Sequence, residues 1–246
     1  QAAKSIFILP FENLSDDKEN QYFVSGVEED ILNHLYKISD LRVISRTTSE
    51  HFRESGLTVR DIARRVKARN VLEGSVRKYG NNVIISVQLI DAYRDNHIWS
   101  DKFDREFIDI PAIQSNIAQE VARNLNAVLT DNEIRNIKKT KTRNPEAYNN
   151  YLKGRFLLNK SGDESRTDID KDGLMGSIQY FEKAIAADTN FAEAYAKLAR
   201  AWFCLSGWGW LPSNEGFLKA NDLSLKALKI DPDCAESHKV KGDFHF

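Results

Sequence analysis

Three aspartates spaced two apart, Asp168, Asp170 and Asp172, are followed at once by Gly173. In a D-x-D-x-D-G run the carboxylates take the first, third and fifth places of a calcium-binding loop, and the glycine makes the turn that lets them converge on one ion. The twelfth place, where such a loop is closed by a bidentate Glu, holds the uncharged Gln179. The helix ahead of the loop is expected to end near Lys160, early for a loop clasped between two helices. Calcium held by Asp168, Asp170, Asp172 and Gln179 is therefore one expectation. The other is a solvated acidic connector in which Asp172 caps the helix carrying Ile178 and Phe181. No other cofactor is indicated.

The remaining reactive side chains are scattered. Arg53, Arg60, Arg64, Arg65, Lys67 and Arg69 make one stretch basic enough to attract a phosphate or nucleotide, but no glycine-rich cradle accompanies them. A solvated helix face paired with Glu54 and Asp61 is the expectation. Ser75 stands in a predicted strand with no base beside it, and Asp91, Asp101 and Asp104 form an acid/base pair only if strand pairing brings them together. The sequence has no GxSxG, Walker loop, GxGxxG or HExxH, so no enzymatic activity is expected of it. Cys204 and Cys234 have no CxxC spacing and no histidines at ligand distance, which argues against zinc and against a disulfide framework. Trp208 and Trp210, flanked by Gly207 and Gly209, would anchor a partner if exposed, and would close a helical hairpin if packed back.

Composition narrows the classes further. Thirty-five basic residues against 36 acidic ones leave a formal net charge of -1, so no overall field draws the chain to nucleic acid or to an anionic membrane. No apolar run reaches the roughly 20 residues that cross a bilayer. A length of 246 residues with 41% hydrophobic content suits two domains.

Periodicity supplies the elements. KSIFILPF (4–11) reads as a buried strand ended by Pro10, and 21–38 places Phe23, Val27, Ile31, Leu35 and Ile38 at helical spacing. Leu41 to Ser45 is a second strand, Thr58 caps a short helix, and Asn70 resumes an extended run. Val71–Lys78 and Val83–Ala92 alternate around Tyr79-Gly80-Asn81-Asn82, a hairpin, and Ile98–Phe107 adds a third antiparallel strand. A helical stripe over 110–129 completes a β-α-β-α-β-β-β-α order. The expected domains are a mixed domain over 1–130, a basic linker over 131–145 and a helical region over 146–246.

That last region repeats itself. Superposing Ala184 on Ala227 brings Asp188 onto Asp231, Ala192 onto Ala235, Tyr195 onto His238 and Ala199 onto Gly242. Helical hairpins are expected, with Gly154, Ala184, Ala199, Ala227 and Gly242 at close approaches and Phe181, Tyr195 and Trp202 filling the gaps. The pattern resembles the tetratricopeptide repeat, although Thr189 and Ser224 replace the proline and the large residue usual there. In the first domain, SIFILPFENLSDDKENQYFVSGVEEDI, LRVISRTTS, ARNVLEGSVRKYGNNVIISVQLIDAYRDNHIWSDKFDRE and DIPAIQSNIAQEVARNL together resemble the TolB-like N-terminal domain. The resemblance implies an α+β domain, a mixed sheet with covering helices, followed by an all-α helical solenoid. It also implies a parent protein that carries a class III adenylate cyclase or a DNA-binding regulator domain.

The function expected is a non-enzymatic regulatory or sensory module of such a bacterial signalling protein. It would bind a protein or peptide through first-helix residues of the repeats, Asn149, Asn150, Lys153, Glu193, Lys197 and Arg200, taken to point away from the neighbouring hairpin, with Trp208 and Trp210 beside them. The alternatives are a cell-envelope scaffolding protein and a sensor whose mixed domain holds a small molecule. The chain is expected to be a fragment, periplasmic if a membrane span precedes it and otherwise cytoplasmic, and to self-associate through an uncovered repeat face at its end.

Overall fold

The computed structural model describes residues 4–45, 56–161 and 170–243. Two compact units divide the chain, residues 1–140 and 141–246.

The first unit contains β1 (Ser5–Ile8), β2 (Glu12–Asn13), α1 (Gln21–Tyr36), β3 (Arg42–Val43), α2 (Val59–Val66), β4 (Asn70–Tyr79), β5 (Asn82–Asp91), β6 (Asn96–Glu106), α3 (Ile110–Asn124) and α4 (Asp131–Lys138). Its mixed sheet runs β3-β1-β4-β5-β6, parallel at β3-β1-β4 and antiparallel from β4 to β6, with β2 also beside β4. All four residues of β1 are buried, because helices cover both of its faces. On one face, α2 packs Ile62 against Phe7, with Ala68 just past its end in the same cluster, and Ala63 against Val71 and Ala92. On the other, α1 and α3 lie together, burying Phe23, Val27, Ile31 and Leu35 from one helix and Ile113, Ile117 and Val121 from the other. Pro10 has no N–H to give a ladder, so the strand breaks there and restarts as β2. Inside the break, the Phe11 N–H donates to the buried Glu28 carboxylate at 3.0 Å. The Phe11 ring then lies so close to Gly74 that a Cβ there would come within 2.6 Å of it. Only glycine fits in Leu-Glu-Gly-Ser-Val.

β4 and β5 turn on Gly80, whose φ of +54° suits a residue without a Cβ. β6 is the last strand of the sheet, and among the described residues nothing pairs with its outer edge.

The stretch read as a linker is divided between the two units. α4 carries a capping box: the Thr130 hydroxyl accepts from the Glu133 N–H, and the Glu133 carboxylate accepts from the Thr130 N–H. Glu133 also accepts from the Ser39 N–H at 2.8 Å, and the Lys37 ammonium donates to the Asn136 carbonyl at 2.9 Å, which holds α4 to the first unit. Farther on, Asn144 donates from its side chain to the Ala187 carbonyl and belongs to the second unit.

The second unit comprises α5 (Pro145–Ser161), α6 (Lys171–Ala187), α7 (Ala192–Gly207), α8 (Ser213–Ile230) and α9 (Ala235–Asp243). α5 pairs with α6 and α7 with α8, each antiparallel: Gly154 meets Phe181 while Gly176 meets Leu157, and Phe203 meets Phe217 while Ala192 and Ala196 meet Ala227. Tyr151 stacks at 6.0 Å on Phe181 and at 4.8 Å on Phe191, joining the first hairpin to the next.

The self-similarity seen in the sequence reappears bond by bond, 43 positions apart. The Asp188 N–H donates to the Ala184 carbonyl and the Asp231 N–H to the Ala227 carbonyl. Each aspartate side chain accepts from the N–H two residues on, Asn190 and Asp233 respectively. Each following helix opens alike, Tyr195 N–H to Phe191 O and His238 N–H to Cys234 O. One small residue departs from expectation: a Cβ at Gly242 would meet nothing within 4 Å, so that glycine serves no close approach. Among the described residues, no helix is long and apolar enough to cross a membrane.

Candidate functional site

The short turn from α6 to α7 and the antiparallel pairing on either side make α5 and α7 run in the same direction. α9 continues this row, since its successive residues Glu236 and Asp243 meet Lys197 and Arg200 of α7 in the same order. First helices thus line one side of the second unit. Asn149, Asn150, Lys153, Glu193, Lys197 and Arg200 all stand on it, half-buried.

Their roles differ from the expectation that all point away from neighbours. Lys197 and Arg200 face the next first helix: the Lys197 ammonium lies 3.1 Å from the Glu236 carboxylate, and Arg200 pairs with Asp243. Burial alone would raise the Glu236 carboxyl, but Lys197, with Lys239 and Arg200, overrides it and holds Glu236 below the ordinary range. These charges pair across the seam between α7 and α9. Lys153 instead lies 5.6 Å over the Tyr180 ring of α6. Asn149, Asn150 and Lys153 of α5 and Glu193 of α7 share this side of the unit, half-buried.

Trp208 and Trp210 pack on each other edge to face, centroids 5.6 Å apart, and both are half-buried. Their backbone N–H groups donate to the carbonyls of Cys204 and Leu205, and Gly209 between them takes a φ of +74°. They close the end of α7.

Of the proposed calcium ligands, Asp168 lies outside the described residues. Asp170, not Asp172, caps α6, its carboxylate accepting from the Gly173 N–H at 3.0 Å. Asp172 is exposed in the first turn, and Gln179 is exposed more than two turns along the helix. Among the described residues no group of three or more His, Cys, Asp or Glu is set to hold a metal.

The other titratable candidates have structural partners. Arg53 and Glu54 lie outside the described residues. Arg69 donates from Nε and from a terminal nitrogen to Asp91 Oδ2, at 3.1 and 2.9 Å. Burial works to raise Asp91, but this fork and the N–H groups of Arg94 and Tyr93 hold it low. Asp104 accepts from the Tyr79 hydroxyl at 2.8 Å, raising that phenol, and Asp101 accepts from the Lys102 N–H. The three aspartates are therefore not gathered into one site.

Sequence reasoning missed one feature. α2 covers only part of its face of the sheet, and beside it opens a cleft of about 520 Å³ floored by Glu12, Glu73, Ser75, Ser86, Gln88 and Lys102. The alternation along β4 and β5 was legible. That β2 would extend the floor was not, because a two-residue strand leaves no period to read.

With this geometry in view, residues 2–120 match the family of the HilA/YgeH-like transcriptional regulator, second domain. That is the regulator-like part of the chain. Over 198 residues the chain is also 36% identical to "Putative adenylate cyclase 3" of Rhizobium meliloti (strain 1021), an alignment covering 80% of this chain and 32% of that protein. The chain thus spans about a third of that relative's length. Among solved structures, TolB from Acinetobacter baumannii is similar at a TM-score of 0.39 and 14% identity, covering 53% of this chain and 30% of that one. The LpoB C-terminal domain from Salmonella enterica reaches 0.34 at 21% identity, covering 43% of this chain and 84% of that one. Both scores are too low for a shared fold to follow from them.

Proposed function

We propose that the chain is the non-enzymatic regulatory part of a larger signalling protein. Its tetratricopeptide-like helical unit captures a protein or peptide, and the regulator-like unit passes that state to an output domain, a cyclase or a transcription regulator. The repeated turn, with the same backbone bonds and the same aspartate cap at Asp188 and Asp231, is the observation that carries this reading. A stack built from one unit keeps its first-helix faces in line and so presents an extended surface suited to a polypeptide. The regulator-family match and the similarity to a cyclase protein support the output side.

The test begins with cross-linking the chain in its native host to identify what contacts α5. Titration of the purified partner then compares the natural chain with Asn150→Glu/Lys153→Glu, changes that leave the seam pairs Lys197–Glu236 and Arg200–Asp243 intact. A loss of affinity of tenfold or more is expected, and equal affinity would refute the assignment of this face. The purified chain is also expected to leave ATP unchanged. Turnover abolished by a substitution within residues 1–246 would overturn the non-enzymatic reading.

A further inference from the structure

The outer edge of β6 carries its own complement. The Phe107 N–H donates across the hairpin to the Asn81 carbonyl at 2.9 Å. Because alternate residues of a strand direct their backbone groups to opposite sides, Arg105, Phe103 and Asp101 also address β5, and Ser100, Lys102, Asp104 and Glu106 address the open edge. Two side chains corroborate this. The outward Lys102 N–H is met by its own neighbour's carboxylate, Asp101 Oδ1 at 2.7 Å, and the outward Asp104 carbonyl by the Arg105 guanidinium at 2.8 Å. Local groups stand where a neighbouring strand would otherwise supply partners.

Two copies of an edge strand joined about a two-fold axis normal to the sheet run antiparallel. Residue i then meets residue j on the same face, so their numbers sum to a constant even value. With the axis at Phe103, the sequence Asp101-Lys102-Phe103-Asp104-Arg105 becomes its own partner. Lys102 meets Asp104 of the second copy, twice, on the open face shared with Ser86 and Ile84. Asp101 meets Arg105 of the second copy, twice, on the helix-covered side shared with Val87 and Val83. Moving the axis to Asp101 or Lys102 sets like charges against each other at the centre, so the charges select one register.

We propose that β6 is a homodimerisation edge, pairing with β6 of a second copy about Phe103 to give one continuous sheet. In this register Lys102 and Asp104 of the second copy exchange both N–H···O bonds, as do Ser100 and Glu106. Asp101 and Arg105 exchange their intrachain backbone contacts for each other across the axis. The inference is independent of the partner-binding face on α5, and its failure leaves that reading untouched.

Charge swapping on the full chain tests it by sedimentation velocity. The natural chain should show a concentration-dependent dimer that weakens with salt. Lys102→Asp alone and Asp104→Lys alone should each weaken association at least tenfold, and the double variant Lys102→Asp/Asp104→Lys should return it to within a few-fold, because the pairs are restored with the signs exchanged. A natural chain that stays monomeric up to millimolar concentration overturns the proposal, as do single variants that dimerise unchanged. A second variant guards against misfolding: Asp101→Cys/Arg105→Cys places the thiol at 101 opposite the thiol at 105 of the second copy in this register, a linkage that peptide mapping distinguishes from the 101-to-101 and 105-to-105 linkages of other registers. On mild oxidation it should give a covalent dimer, and its absence likewise overturns the proposal. The native thiols Cys204 and Cys234 are buried and supply the background control.

Discussion

Two glycines decide packing at the scale of single residues. A methyl at position 154 would sit 2.8 Å from the ring of Phe181, which is fully buried and has nowhere to turn. In an exposed helix, Gly→Ala gains up to about 1 kcal/mol from propensity. Here overpacking costs about 1–3 kcal/mol and wins. Gly154→Ala is therefore expected to lower the melting temperature of the helical unit, and a rise would show that Phe181 yields. Gly154 was legible as a small residue at a close approach, because it takes a fixed place in the pattern of helical hairpins. Gly74 was not, because the aromatic that needs the space, Phe11, is far away in sequence and reaches Gly74 only through the strand break at Pro10. Ser224 presents the opposite case. It is fully buried and its hydroxyl finds no hydrogen-bond partner among the described residues. An unsatisfied buried hydroxyl costs about 1–3 kcal/mol, so Ser224→Ala is expected to raise the melting temperature; an unchanged or lower value would mean that the hydroxyl is solvated.

Among the elements, α4 shows how a short, polar helix is held. Its apolar face is slight, with Ile137 the one residue buried, and the attachment rests on Glu133. The Ser39 N–H, followed by the Thr130 N–H and hydroxyl, holds the Glu133 carboxyl down from the ordinary 4.5 to about 2. A carboxylate depressed in the folded state contributes stability above its unfolded value and loses it as pH falls through the folded one. The contribution is therefore complete above about pH 4.5 and disappears towards pH 2. Acidification through that window should raise amide exchange in α4 ahead of the sheet, and Glu133→Gln should raise it already at neutral pH and remove the pH dependence. Exchange in α4 that tracks the sheet at every pH would contradict this. Sequence reading took this stretch as linker because it weighed the basic run from Arg135 and passed over the capping box at Thr130. The strands were more legible: β5 alternates cleanly, and the boundaries of β4, β5 and β6 fall within about two residues of those expected.

At the scale of the whole molecule, the two units have different sources of order. The first depends on parallel pairing of β1 with β3 and β4, contacts distant in sequence that no period announces. The second depends on neighbours alone, each hairpin on the next, and so was legible from self-similarity. What the sequence could not give was the use of its charges. Lys197 and Arg200 looked like groove residues on a single helix, and became seam residues once α9 was in place beside them. A stack held by nearest neighbours should be least protected where neighbours are fewest. Hydrogen exchange is expected to be fastest in α9, which among the described residues rests chiefly on α7 and α8, and slowest in α6 and α7. Equal protection in α6 and α9 would contradict this.

The 43-position spacing also sets how such a chain can change in length. The backbone bonds of the turn at Asp188, and its aspartate cap, have counterparts at Asp231, so duplicating or deleting one complete copy of that length leaves each remaining helix with the same neighbours in the same phase. An insertion of another size within a helix would rotate everything beyond it by about 100° per residue, and the pairs at Lys197 and Arg200 would no longer meet. The gene is thus free to grow by whole copies and constrained against almost every other length change, except in the loops between helices.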